Sequence, residues 1–291
     1  MAKLRALVSR RKAVRNIRKI TRTMELIATA RFKKALDRAS EAEAYTRKIA
    51  ELASDLSRSA GEISHPLLQT RPVRKSLLLV ICSNRGLCGG YNGAILREAQ
   101  GRIRGMQKEA MPFDLEISGK RGLAFFKFSG IPIVRSYTNF EDKPKFEDAE
   151  KLADVYIEAF VKGEIDRVDV AWMRFVTASR QIATVATLLP LSGVGGTESK
   201  TPVGPSVEYD FIPSASNILD DLVPAAFKAK LFKCFLDAAV SEQIARRIAM
   251  KAATENAGDL IKDISRQYNR ARQANITREI SELIAGAEAI K

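Results

Sequence analysis

The 291 residues carry 48 Lys and Arg against 34 Asp and Glu, a net charge of +14, with 46% hydrophobic and 7% aromatic residues. That length allows one or two domains, and the apolar content supports a core, yet no apolar run approaches the ~20 residues that cross a bilayer. Three scattered cysteines and a single histidine exclude a disulfide framework, a Cys/His metal site and any histidine-rich catalytic centre.

The excess charge is not spread evenly. Residues 1–60 hold 16 basic and 6 acidic side chains, residues 225–291 hold 12 and 8, and residues 61–224 hold 20 of each. The whole imbalance therefore lies at the two ends. It is densest in residues 1–24, which contain nine basic residues and no acid. A basic end of this kind seeks an acidic partner, a phosphate backbone or an anionic membrane surface. The basic start lacks the apolar stretch and cleavage site of a signal peptide, and its pattern runs directly into a helix, which speaks against a targeting segment.

Residues 1–60 contain no Gly and no Pro. Without a breaker they predict one helix of roughly 90 Å, too long to lie against any compact domain without a partner along its length. Val14, Ile17, Ile20, Met24 and Ile27 recur at three- and four-residue steps and predict an apolar stripe. Ala35, Ala39 and Ala42 continue it with small residues, and Ile49, Leu52 and Leu56 finish it. His65, beside Pro66, reads as a loop residue closing this stretch.

The middle alternates between strand and helix patterns. Residues 76–83 (SLLLVICS) read as a buried parallel strand. A helix follows from Gly93 to about Met106, a strand at 114–118, a helix around 123–128 and a strand at 131–137. An amphipathic helix is predicted at 146–162, and a hairpin at 168–177 and 182–190. This order implies a mostly parallel, helix-covered sheet of Rossmann-like type with antiparallel strands at one edge. Residues 191–206, rich in Gly, Pro and Ser, read as a loop. From 225 onward there is no Pro and only Gly258 and Gly286. A second long helix is expected there, its stripe formed by Phe227, Leu231, Phe235, Ala238, Ile244, Ile248, Ala252, Leu260, Ile264, Tyr268, Ala271, Ile276, Ile280 and Leu283. The division this gives is an N-terminal coiled-coil helix at 1–60, a central α/β domain at 74–206 and a C-terminal coiled-coil helix at 213–291.

Catalytic signals are weak. The turn Asn84-Arg-Gly-Leu-Cys-Gly-Gly-Tyr-Asn92 has the look of a phosphate cradle, but its glycines are out of register for G-x-G-x-x-G. No G-x-x-x-x-G-K-[ST] exists in the chain. It reads as a structural strand-to-helix turn, and Cys88 within it has no nearby base to activate it. The basic first helix could enter a DNA groove, but its apolar stripe runs through the basic segment and occupies that face. A nucleotide-dependent enzyme and a DNA-binding coiled coil are the two competing readings. Cofactor titration would support the first, and steeply salt-dependent DNA binding the second.

The ends decide between them. Ser241-Glu-Gln-Ile-Ala-Arg-Arg-Ile-Ala-Met-Lys-Ala-Ala-Thr-Glu-Asn-Ala257 and Tyr268-Asn-Arg-Ala-Arg-Gln-Ala-Asn-Ile-Thr-Arg-Glu-Ile-Ser-Glu-Leu-Ile-Ala-Gly-Ala287 closely resemble the gamma subunit of F-type ATP synthases. So do Arg15-Asn-Ile-Arg-Lys-Ile-Thr-Arg-Thr-Met24 and Ser83-Asn-Arg-Gly-Leu-Cys-Gly-Gly-Tyr-Asn92, although that family more often has Asp at the position of Asn84.

The resemblance implies a long antiparallel coiled coil of the N- and C-terminal helices plus a central α/β domain, acting as a non-catalytic rotor. It would turn inside a hexamer of α and β subunits and stand, with the epsilon subunit, on the membrane-embedded c-ring. The setting would be the cytoplasmic face of a bacterial inner membrane, with no cofactor, metal or nucleic acid. It also implies contact or coupling roles for Met24 and Arg246 near acidic β-subunit loops, and for Arg272, Gln273, Thr277 and Glu279 at β-subunit catch loops. The cysteine insertion behind thiol control in chloroplast forms is absent.

Overall fold

The computed structural model describes residues 2–59, 65–140, 143–191 and 215–289. The loop expected at 191–206 falls, but for Leu191, outside them. Element order is α1 (Ala2–Ser59), a 3-10 turn (Pro66–Leu68), β1 (Ser76–Ile81), α2 (Tyr91–Lys108), β2 (Phe113–Ser118), α3 (Lys120–Phe128), β3 (Arg135–Tyr137), α4 (Phe146–Val161), β4 (Arg167–Thr177), β5 (Arg180–Leu189) and α5 (Ala215–Ala289). The chain forms two compact units. One comprises Met1–Thr29 with Arg246–Lys291, the other Ala30–Ala245.

In the larger unit the sheet order is β3-β2-β1-β4-β5. β1 runs parallel to both β2 and β4, β2 is parallel to β3, and only β5 is antiparallel, paired with β4. The continuous apolar run of β1 follows from its central place, because both of its faces are covered. Leu77, Leu79 and Ile81 point into a core with Tyr156 and Phe160 of α4 and Phe227 and Leu231 of α5. Leu78 and Val80 point into the opposite core, with Ile95 and Ile103 of α2 and Phe126 of α3. All six residues of β1 are buried.

The start of β3 differs from expectation. β3 is short because Ile131 and Ile133 pack onto the α2–α3 core instead of joining the ladder. Val134 N–H donates to Leu115 O at 2.8 Å just before the ladder begins at Arg135. α5 passes straight through Pro224, which lies in its tenth position. The ring removes one helical hydrogen bond, but Val223 and Phe227 on either side are fully buried, and their packing holds the helix together.

Within this unit α5 uses two faces. Phe227, Leu231 and Phe235 sit on the sheet, where the Phe235 ring stacks on Phe140 at 4.0 Å. Leu236, Val240 and Ile244 meet Ala35 and Ala39 of α1. The small alanines let the two helix backbones approach closely.

Candidate functional site

The candidate residues Met24, Arg246, Arg272, Gln273, Thr277 and Glu279 all lie in the smaller unit, an antiparallel pair built from the start of α1 and the end of α5. Three contacts fix its register. The Arg11 guanidinium lies 5.1 Å over the centre of the Tyr268 ring. A methyl group placed on Gly258 would sit 3.8 Å from Arg18 Nε. Thr254 Oγ1 lies 2.8 Å from both Thr21 Oγ1 and the Met250 carbonyl, so its one hydrogen can serve either. As the α1 number rises the α5 number falls, so the helices run in opposite directions.

The most enclosed line on α1 is Leu7, Val14, Thr21 and Ala28, the first two half-buried and the last two buried, a spacing of seven. On α5 it is the buried Met250, Ala257 and Ile264 and the half-buried Ala271, again seven apart. Both are heptad seams. This corrects the stripes expected from the sequence. Ile17 and Ile20 are 52% and 58% exposed, Ile27 is also exposed, and on α5 so are Ile248, Ala252 and Leu260. Successive three-residue steps, as from 14 to 17 to 20, drift around a 3.6-residue helix. The seam instead uses Thr21 and Ala28, which a reading by hydropathy passes over.

The structure separates the candidate residues into two places. Met24 is half-buried and Arg246 is buried. Counting from the Thr21–Thr254 pair, Met24 is level with Lys251, a little over one turn from Arg246. Arg272 begins 26 positions further along α5, about 40 Å at the helical rise. Arg272, Gln273, Thr277 and Glu279 are all exposed. None of the four makes a hydrogen bond or ion pair among the described residues.

Beyond the level of the α1 N-terminus, α5 continues with Ile276, Ile280, Leu283 and Ile284, each 47–74% exposed. Their spacing of four, three and one places them on one face of a helix. The unit as a whole carries 18 Lys and Arg and 7 Asp and Glu. Several of these pair along their own helix: Arg22 with Glu25 at 2.8 Å, Lys262 with Asp259 at 3.0 Å, and Arg266 with Asp263. Exposed pairs of this type add little stability.

The turn after β1 is structural. Asn92 Nδ2 donates to Ser83 Oγ at 2.8 Å and to Cys88 Sγ at 3.2 Å, and its Oδ1 accepts from Ser83 N–H at 3.0 Å. Leu87 and Gly89 adopt left-handed φ values of 64° and 56° to close it. Tyr91 Oη donates to Ala238 O at 3.1 Å, anchoring α5. Asn84 Nδ2 donates to Thr138 O at 3.0 Å while its Oδ1 caps Lys120 N–H at 3.1 Å. The polar side chains of the turn are thus engaged with its own backbone and neighbours. Burial pushes the Cys82 and Cys234 thiols well up, which keeps them protonated and unreactive. His65 Nδ1 accepts from Leu67 N–H at 3.1 Å and caps the 3-10 turn, so the one histidine has a structural task. Among the described residues no His/Cys/Asp/Glu group has metal-binding geometry, and no helix is long and apolar enough to cross a membrane.

Among the buried carboxylates that escaped the sequence reading, two tie elements of the sheet unit together. Glu116 on β2 accepts from Tyr156 Oη at 2.6 Å and Tyr137 Oη at 2.8 Å, and burial followed by the nearby Glu116 charge pushes the Tyr137 pKa up to about 12. Asp169 on β4 lies 2.9 Å from Arg102 and 3.1 Å from Arg167. Both are cross-element ties that become visible only when the strands are set side by side.

Comparison with known proteins agrees with the geometry. A family model described as ATP synthase matches residues 3–290. The chain is 52% identical over 295 residues to the ATP synthase gamma chain of Rhodopirellula baltica, and 42% identical over 291 residues to that of Leptospira biflexa, with both chains covered completely in each case. In fold it is similar to a rotor chain of Euglena gracilis mitochondrial ATP synthase, with a TM-score of 0.64, 17% identity, and coverage of 94% of this chain and 99% of that one.

Proposed function

Because the chain belongs to the ATP synthase gamma-chain family, we propose that its helix pair turns inside a hexamer of α and β subunits while its α/β domain meets the epsilon subunit and the c-ring. The chain is the central rotor shaft of an F-type ATP synthase and is itself non-catalytic. In this reading residues 1–60 and 213–291 form the shaft and residues 74–206 the α/β domain. The complex is membrane-associated, and the chain belongs at the cytoplasmic face of a bacterial inner membrane.

The supporting observation is the end of α5, where Ile276, Ile280, Leu283 and Ile284 form an apolar face beyond the reach of α1. An exposed apolar patch of this kind calls for a covering surface, and a ring of subunits supplies a sleeve all round. Ion flow turns the ring and the shaft with it, and the asymmetric shaft drives the β-subunit sites through different conformations in turn. Arg272, Gln273, Thr277 and Glu279 stand on the enclosed part of the shaft and touch β-subunit loops. Met24 and Arg246 stand lower, near acidic loops that suit the basic surface of the pair.

The test is co-expression with α and β subunits. The expected result is a complex whose ATP hydrolysis depends on this chain, with no hydrolysis by the chain alone. A chain that fails to co-purify with them would refute the reading.

A further inference from the structure

A cleft of about 710 Å³ opens in the larger unit where three stretches of chain meet. Arg85 comes from the turn that follows β1. Thr138 and Asn139 directly follow β3, with Lys143 shortly beyond, and Arg31, Lys34 and Arg38 stand on α1. Because β1, β2 and β3 run parallel, Arg85, Thr138 and Asn139 leave the sheet at the same end. That carboxyl end is where open α/β sheets bind their ligands. Asn84 ties the exits together: its Nδ2 donates to Thr138 O at 3.0 Å and its Oδ1 accepts from Lys120 N–H at 3.1 Å. Five of the seven lining residues are cations, and among the described residues no acid lines the cleft. Arg31, Lys34 and Arg38 share one face of α1, at steps of three and four, where like charges weaken a helix. An anion held in the cleft would turn that repulsion into attraction.

We propose that this cleft binds a small anion built of linked phosphate groups, either a free phosphate chain or the tail of a nucleoside triphosphate. Such an anion places several negative charges close together, within a space of the size that ligand pockets have. Arginine forks meet phosphate oxygens in pairs, and lysines add compact point charges. Thr138 and Asn139 add neutral donors beside them. No apolar or aromatic side chain lines the cleft among the described residues. It therefore offers nothing to a base ring, and nothing to the apolar anchors by which a peptide would bind. The phosphate chain is the part recognised. No carboxylate or histidine lines the cleft to serve as a general base, so the anion is held and not hydrolysed.

Calorimetric titration of the full chain with tripolyphosphate, ATP and adenosine tests the site. Tripolyphosphate and ATP should bind with equal affinity, adenosine should not bind, and added salt should weaken the binding. Tripolyphosphate binding with ATP excluded would restrict the ligand to free phosphate chains. Lys34→Gln with Lys143→Gln removes two exposed cations from the cleft and should weaken binding about tenfold or more. Lys108→Gln with Lys127→Gln makes the same change in net charge at exposed positions that do not line the cleft, and should leave the affinity close to the parent's. Equal losses in the two double variants would overturn the proposal, because the attraction would then belong to the basic surface as a whole. So would a chain that binds no tripolyphosphate, or one that binds ATP alone. A poly-glutamate peptide bound more tightly than tripolyphosphate would also overturn it, by making the occupant an acidic protein segment.

Discussion

The two units differ in how much of their large apolar surface they bury. The α/β unit hides its largest side chains, with Tyr156, Phe126, Phe160 and Phe227 all at or near complete burial. The helix pair hides Thr21, Ala28, Met250, Ala257 and Ile264 and leaves Ile17, Ile20, Ile248, Leu260, Ile276 and Leu283 outside. A unit of the first kind satisfies its own apolar surface. One of the second kind is finished only by what surrounds it, so its large side chains belong to an interface and not to a core.

The sharpest test of that contrast is a matched pair of truncations. Leu79→Ala, in the strand covered on both faces, should destabilise the α/β unit by about 2–5 kcal/mol in denaturant unfolding. Ile280→Ala should leave the unfolding of the isolated chain within about 0.5 kcal/mol of the parent yet weaken assembly with the α and β subunits. Equal destabilisation by the two would erase the distinction.

Next in size is the Arg272→Ala, Gln273→Ala double substitution. Both side chains are exposed and without partners among the described residues, so truncation opens no cavity and the complex should assemble normally. If they bond to β-subunit loops, charge-assisted contacts of about 1.5–3 kcal/mol are lost, and ATP-driven turnover should fall severalfold or more. Turnover near the parent's in a fully assembled complex would mean that these side chains merely solvate the helix.

Met24→Lys should act on coupling more than on assembly. It adds a cation to a surface already basic, and a contact with an acidic loop that must break at each step. An extra barrier of ~1.4 kcal/mol slows a step tenfold. Ions pumped per ATP hydrolysed is the quantity to measure, and an unchanged ratio would count against the idea. The smallest effect is expected for Thr254→Val, which removes the hydroxyl facing Thr21. A loss of about 1 kcal/mol in the stability of the helix pair, read by thermal unfolding, would be consistent with a single seam hydrogen bond, whereas a loss several times larger would show a network.

Much of this contrast was legible in the residue order, for reasons that also explain where it was not. β1 was plain because a strand buried on both faces must be apolar at every position, as Leu77 to Ile81 are. α4 was plain because Ala149, Leu152, Ala153, Tyr156 and Phe160 keep one face apolar. The absence of breakers marked both long helices, although Pro224 shows that a breaker flanked by deeply buried neighbours can be carried inside one. The phase of the helix pair was hidden. Hydropathy seeks the largest apolar residues, and in a unit whose seam also uses Thr21, Ala28 and Ala257, many of the largest ones, Ile17, Ile20 and Leu260 among them, point outward. Glu116 was hidden for a different reason: a lone carboxyl in a short strand reads as exposed surface until Tyr137 and Tyr156 are laid against it.

The central claim is that the helix pair turns within a sleeve. It is tested most directly by attaching a bead to the α/β unit, through a cysteine placed at the 93% exposed Phe128, in an immobilised complex with α and β subunits. Upon addition of ATP the bead should rotate steadily in one direction, in steps that follow the three β-subunit sites. Sustained ATP hydrolysis by the same complexes with the bead stationary would contradict it.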